Sequence, residues 1–93
     1  MTPTVSERLS QWAINLGFEQ IPKSVQHAAA RHLLDGVGLA IAAHRFNAAH
    51  AVCTVARTFS SPSGVRMLGS NDLLAVPAVA LANGVLVHAL DFD

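Results

Sequence analysis

The chain has 93 residues, 52% of them hydrophobic and only 13% charged, and its six basic and six acidic side chains cancel. An average soluble domain carries roughly 25% charged residues, so this short chain has more apolar surface than a body of its size hides. The excess is read as surface for a larger body or a second subunit. Arg8, Lys23, Arg31, Arg45, Arg57 and Arg66 stand singly, which excludes the basic stripe of a nucleic-acid binder. Cys53 has no second cysteine to pair with, which excludes an internal disulfide and fits a reducing, cytoplasmic setting. Its neighbours Ala51, Val52, Thr54 and Val55 mark it as a small buried hydrophobe. The start, Met1 to Arg8, lacks the basic head and apolar run of a signal peptide.

Four helices and one short extended segment account for the pattern. The first runs from about Val5 to Leu16, with Val5, Leu9, Trp12, Ala13 and Leu16 at helical spacing and Gly17 as its stop. Thr4 is the expected N-cap, and Glu7 three residues on completes a capping box.

The second helix starts at Pro22, where a missing N–H costs nothing. Val25, Ala29, Leu33, Val37 and Ala40 form one apolar stripe, and His44 and Arg45 close the helix at its carbonyl end. Gly36 and Gly38 each cost about 1 kcal/mol relative to alanine inside a helix, so Gly36 and Ala40 are expected to offer a flat face to another helix. Asp35 lies in apolar company and is expected to pair with an arginine or a helix N-terminus, a role as a site residue being the alternative.

A third helix is expected from about Asn47 to Phe59, with Val52, Val55, Ala56 and Phe59 inward. Pro62-Ser63-Gly64 signals a turn, and Val65 to Leu68 reads as extended, ended by Gly69. Asn71 and Asp72 then start a helical turn at Leu73. Pro77 opens the fourth helix or bends one already begun, and Ala78 to Leu90 continue it. Leu73 to Leu90 is eighteen residues without a formal charge, the lower edge of membrane-spanning length. Pro77, Asn83 and His88 interrupt it and Asp91 and Asp93 follow directly, so a core helix is the better reading.

Chemistry concentrates in Asn83 to Asp93. Helical spacing puts Gly84, His88 and Asp91 on one face, with glycine leaving room beside the titratable groups. A metal site is not expected: His27 and His32 splay around a helix, His44 and His50 have no nearby carboxylate, and His88 lacks a second histidine at i+4. No Gly-x-Ser-x-Gly elbow and no glycine-rich phosphate loop is present. Acid–base chemistry between a carboxylate and an imidazole remains.

The stretch Asn83-Gly84 to His88-Ala89-Leu90-Asp91-Phe92-Asp93 resembles the N-terminal signature of the MmgE/PrpD family, which includes 2-methylcitrate dehydratase and cis-aconitate decarboxylase. Ile21-Pro22, Leu33 to Ala40 and Met67-Leu68-Gly69 are similar to further family stretches in the same order, the last to a short strand before the signature helix. The resemblance implies an all-α fold for residues 1–93, a fragment of about four helices with one short extended segment from the N-terminal part of the family's helical domain. It implies a cofactor-independent lyase that eliminates water or carbon dioxide from small polycarboxylates, with Asp91 catalytic and Gly84, His88 and Asp93 as substrate-pocket candidates. No metal, cofactor, nucleic acid or membrane partner is implied, and full-length members form homodimers. The family pattern continues past Asp93 with another aspartate, a threonine, a histidine and lysine-bearing segments. The chain is therefore expected to be a truncated piece, inactive alone. A non-catalytic helical module kept for packing or dimerisation is the alternative.

Overall fold

A computed structural model of the chain describes residues 1–90, and Asp91, Phe92 and Asp93 lie outside the described residues. Two compact units divide the chain, Met1–Arg31 and His32–Asp93. Four helices are joined by two short strands: α1 (Val5–Asn15), α2 (Lys23–Arg45), α3 (His50–Arg57), β1 (Ser60–Arg66), β2 (Leu73–Leu74) and α4 (Val76–Ala89). No helix among the described residues is long and apolar enough to cross a membrane.

In the first unit, α1 begins at the expected capping box. The Glu7 N–H donates to Thr4 Oγ1 at 3.2 Å and the Thr4 N–H donates to Glu7 Oε2 at 2.7 Å. That backbone donor, followed by the Thr4 hydroxyl, holds the Glu7 carboxyl below its ordinary range. A single 3₁₀ turn, Phe18–Gln20, leads to α2, and Gln26 Nε2 fastens the turn by donating to the Ile21 carbonyl at 2.9 Å. None of this unit's residues is buried; Trp12 is 60% exposed. The apolar stripe of α2 is covered only at its C-terminal end: Leu33 is 71% exposed, whereas Ala40 and Ala43 are sealed. Asp35 is exposed, so water solvates it and the expected pairing is not needed.

The second unit holds the core. Ala49, the N-cap of α3, and Cys53 and Ala56 on the helix are buried and Val52 is half-buried, a stripe at i, i+3, i+4 and i+7. It packs against Val79, Ala82 and Leu86 of α4. Among the described residues, Met67, Leu74 and Leu86 are the large, fully buried side chains. Val55 and Phe59 are exposed, contrary to the expectation from spacing. The helix turns its small residues inward, where backbones approach closely. Gly36 of α2 does the same, since a methyl placed there would touch Val87 Cγ1 of α4 at 3.7 Å.

Three boundaries differ from the sequence expectation. Asn47 does not start α3; it ends α2. Its φ of 55° is left-handed, the Asn47 N–H donates to the His44 carbonyl at 3.1 Å, and the Ala48 N–H donates to the Ala43 carbonyl at 2.9 Å. This is a Schellman closure with asparagine in the glycine position, and it delays α3 to His50. Leu73 and Leu74 are extended instead of helical, with Arg66 opposite Leu73 and both Val65 and Ser60 opposite Leu74. The fold is therefore mostly helical with a two-stranded antiparallel sheet, and all-α is not correct. Asp72, the expected helix starter, is occupied elsewhere: its Oδ2 accepts from Arg57 Nε at 2.8 Å and from the Ser70 hydroxyl at 2.7 Å. The guanidinium, then the hydroxyl, hold that carboxyl below its ordinary range. With Pro77 in its first turn, α4 starts only at Val76.

Residues 61–64 bulge between the two pairing points, in place of the expected turn. Gly64 makes the bulge possible, because a Cβ there would land on the Leu74 carbonyl. Gly64→Ala is expected to cost about 1–3 kcal/mol of stability through forced displacement of that backbone, read from urea denaturation of the two proteins.

Candidate functional site

The described part of the signature, Asn83 to Ala89, lies on α4, which is mounted on the rest of its unit through one turn. Met67 to Ser70 form a β-turn in which the Ser70 N–H donates to the Met67 carbonyl at 3.1 Å and Gly69 has φ 74°. Met67-Leu68-Gly69 is thus a turn at the end of β1, not a strand. Both polar atoms of the Leu68 backbone are taken by side chains. Its N–H donates to Asn83 Oδ1 of α4 at 2.9 Å, and its carbonyl accepts from His44 Nε2 of α2 at 2.7 Å. Gly69 allows the imidazole to come this close, since a Cβ at that position would sit 2.7 Å from His44 Cδ2.

This clamp sets which way α4 faces. Val79, Ala82 and Leu86 are buried, so Gly84 and His88, at i and i+4, lie together on the exposed face. A Cβ built on Gly84 meets nothing within 4 Å, so the expected room beside it exists, as open space. The helix ends earlier than spacing suggested. It stops at Ala89, and Leu90 is extended, with φ −106° and ψ 94°. The helical offset of i+7 therefore does not place Asp91, which with Asp93 lies outside the described residues. Gly84 and His88 are the two proposed site residues that the described structure brings together.

Two residues to which sequence reasoning gave other roles prove central to the mounting. His44 was expected to serve as a helix-end cation but instead donates to a carbonyl 24 positions along the chain. Asn83 was visible as half of an Asn-Gly pair, and its uncharged neighbours were the only signal that its amide needed a partner. Among the described residues, no group of three or more histidine, cysteine, aspartate or glutamate side chains is gathered closely enough to hold a metal. A groove of about 740 Å³ runs along α1, lined by Glu7, Arg8, Trp12 and Gln20 among others. It contains no residue of the signature.

The model of the MmgE/PrpD N-terminal domain matches residues 7–93 of the chain. The chain belongs to the MmgE/PrpD family. It is similar to a cis-aconitate decarboxylase of Aspergillus terreus, with 27% identity over 89 residues, covering 96% of this chain and 18% of the relative. The cis-aconitate decarboxylase of Aspergillus terreus strain NIH 2624 / FGSC A1156 gives the same identity and coverage. The chain thus spans less than a fifth of the length of the curated relatives it matches. No solved structure matches it.

If the clamp orients the signature helix, removing its acceptor strands a half-buried donor. Asn83→Ala is expected to destabilise the chain by about 1–3 kcal/mol, and Asn83→Asp, which keeps an acceptor, by clearly less. Denaturant melts compare the three proteins, with amide exchange at Leu68 reporting the bond directly.

Proposed function

We propose that this chain is the N-terminal portion of a cofactor-independent lyase that eliminates water or carbon dioxide from a small polycarboxylate. The family match over residues 7–93 carries the reading. The name of the Aspergillus relatives, cis-aconitate decarboxylase, supports the substrate class. In this reading residues 1–93 are part of one helical domain, Asp91 is the acid–base carboxylate, and His88 and Asp93 orient it or pack beside it. Gly84 keeps the approach to α4 clear for substrate.

Chemistry of this type leaves an electron pair on a substrate carbon, as a proton departs to a base in water loss or as carbon dioxide departs in decarboxylation. Negative charge develops there. Stabilising that charge requires preorganised donors or cations. Of the pocket candidates only His88 can be cationic. The remaining charge stabilisation comes from polypeptide beyond the matched 18% of such proteins, so the isolated chain is inactive in this proposal. Homodimerisation of the complete protein belongs to the same reading.

The non-catalytic module is the second reading, and the exposed apolar side chains Val5, Leu9 and Trp12 of α1 favour it as a packing surface. The acid–base role separates the two. Asp91→Asn, made at the corresponding aspartate of a complete family member, is expected to lower kcat by about 100-fold or more with the fold intact. Near-normal turnover would remove Asp91 from the mechanism and leave the packing module standing. Gly84→Leu at the matching glycine is expected to raise KM at least several-fold by filling the open space, and an unchanged KM would count against substrate approaching there.

A further inference from the structure

A second set of polar groups lies away from the exposed face of α4. Between the end of α2 and the length of α3 is a cavity of about 170 Å³, walled by His44, Asn47, His50 and Arg57, with Cys53 and Leu86 at its apolar side. His50, Cys53 and Arg57 share one face of α3, at i, i+3 and i+7. The wall is predominantly polar, and no carboxylate lines it.

The donors in this wall are only partly used. Arg57 gives its Nε to Asp72 at 2.8 Å, while its terminal guanidinium nitrogens have no hydrogen-bond partner among the described residues. Among the described residues the Asn47 amide and the His50 ring likewise have no protein partner, and His44 has committed Nε2 to the Leu68 carbonyl. A guanidinium fork beside an amide and an imidazole, with no acid in the wall, is a donor set that suits an acceptor with several oxygens. Size agrees. Liquid water takes about 30 Å³ per molecule, so the space holds a four- or five-atom oxyanion with some water and excludes a nucleotide.

We propose that this cavity binds a small oxyanion, a phosphate or a short carboxylate, through Arg57, His50 and Asn47. The site is independent of the lyase reading and lies in the unit that holds the α3–α4 core. Asp72 is its built-in competitor. Outside the wall, the Asp72 carboxylate occupies one edge of the Arg57 fork and opposes an incoming anion by charge.

That opposition supplies the test. The full chain is titrated by amide NMR at constant ionic strength, separately with inorganic phosphate and with acetate, chloride serving as control. Saturable shifts centred on residues 47–57, with smaller ones at His44, Asp72 and Leu86, are expected, with a Kd on the order of millimolar. Arg57→Gln is expected to weaken binding about tenfold or more, and His50→Ala, which leaves the Arg57–Asp72 pair intact, about threefold or more. Asp72→Asn is expected to tighten binding several-fold. Arg57→Gln and Asp72→Asn break the same ion pair, so a purely structural effect moves both in one direction, whereas an oxyanion site moves them apart. Saturation by either anion supports the site and identifies which oxyanion it takes. Shifts that chloride reproduces, no saturation with either anion, or parallel changes in the two variants would overturn it.

Discussion

The backbone of Leu68 is the joint on which the second unit depends. A turn residue between a strand and an extended segment has no ladder partner of its own, and a half-buried backbone group without a partner costs about 1–3 kcal/mol. Here the N–H goes to Asn83 and the carbonyl to His44, so the backbone of one residue is bonded to two different helices. Each bond constrains the other. If α4 rotated, the Asn83 acceptor would leave the Leu68 donor; if α2 moved away, the carbonyl would lose its imidazole. Gly69 is the enabling residue, because its left-handed backbone closes the turn and its missing side chain admits the ring.

From that joint the rest follows by packing. With α4 fixed in rotation, its buried stripe meets the small-residue face of α3, and Gly36 lets α2 close on Val87. The outward face is then the one bearing Gly84 and His88. The signature therefore reads as two functions on one helix: Asn83 faces the turn, and its neighbour Gly84 faces open space. Their adjacency in sequence is a consequence of the helical turn, which sends successive residues about 100° apart.

Much of this was legible in the residues, and the failures share a cause. The Thr4–Glu7 capping box, the extent of α2, the burial of Cys53 and the close approach at Gly36 all follow from local spacing or residue size, and the structure has each of them. What spacing misjudged depended on where side chains were already engaged. Asn47 looked like a helix start, but its tolerance of the left-handed region made it a helix end. Asp72 looked like a cap, but Arg57 and Ser70 hold it. Val55 and Phe59 have the right period for a core, yet alanine and cysteine on the other side of α3 allow closer contact. At the candidate site, the pairing of Gly84 with His88 was readable from helical period alone. The clamp behind it joins positions 44, 68 and 83, a long-range relation that no local pattern encodes.

The alanine-rich character of the core has a thermodynamic consequence. Each buried methyl or methylene group contributes about 0.8 kcal/mol by transfer from water, so an interior of Ala40, Ala43, Ala49, Ala56 and Ala82 yields little per position, with Met67, Leu74 and Leu86 as the bulky exceptions. Such an interior also loses almost no rotamer freedom on folding. It favours a definite arrangement over a deep energy well. The larger reserve of transfer energy sits on the outside, in side chains such as Ile14, Phe18, Leu33 and Leu34, where only contact with further surface can release it.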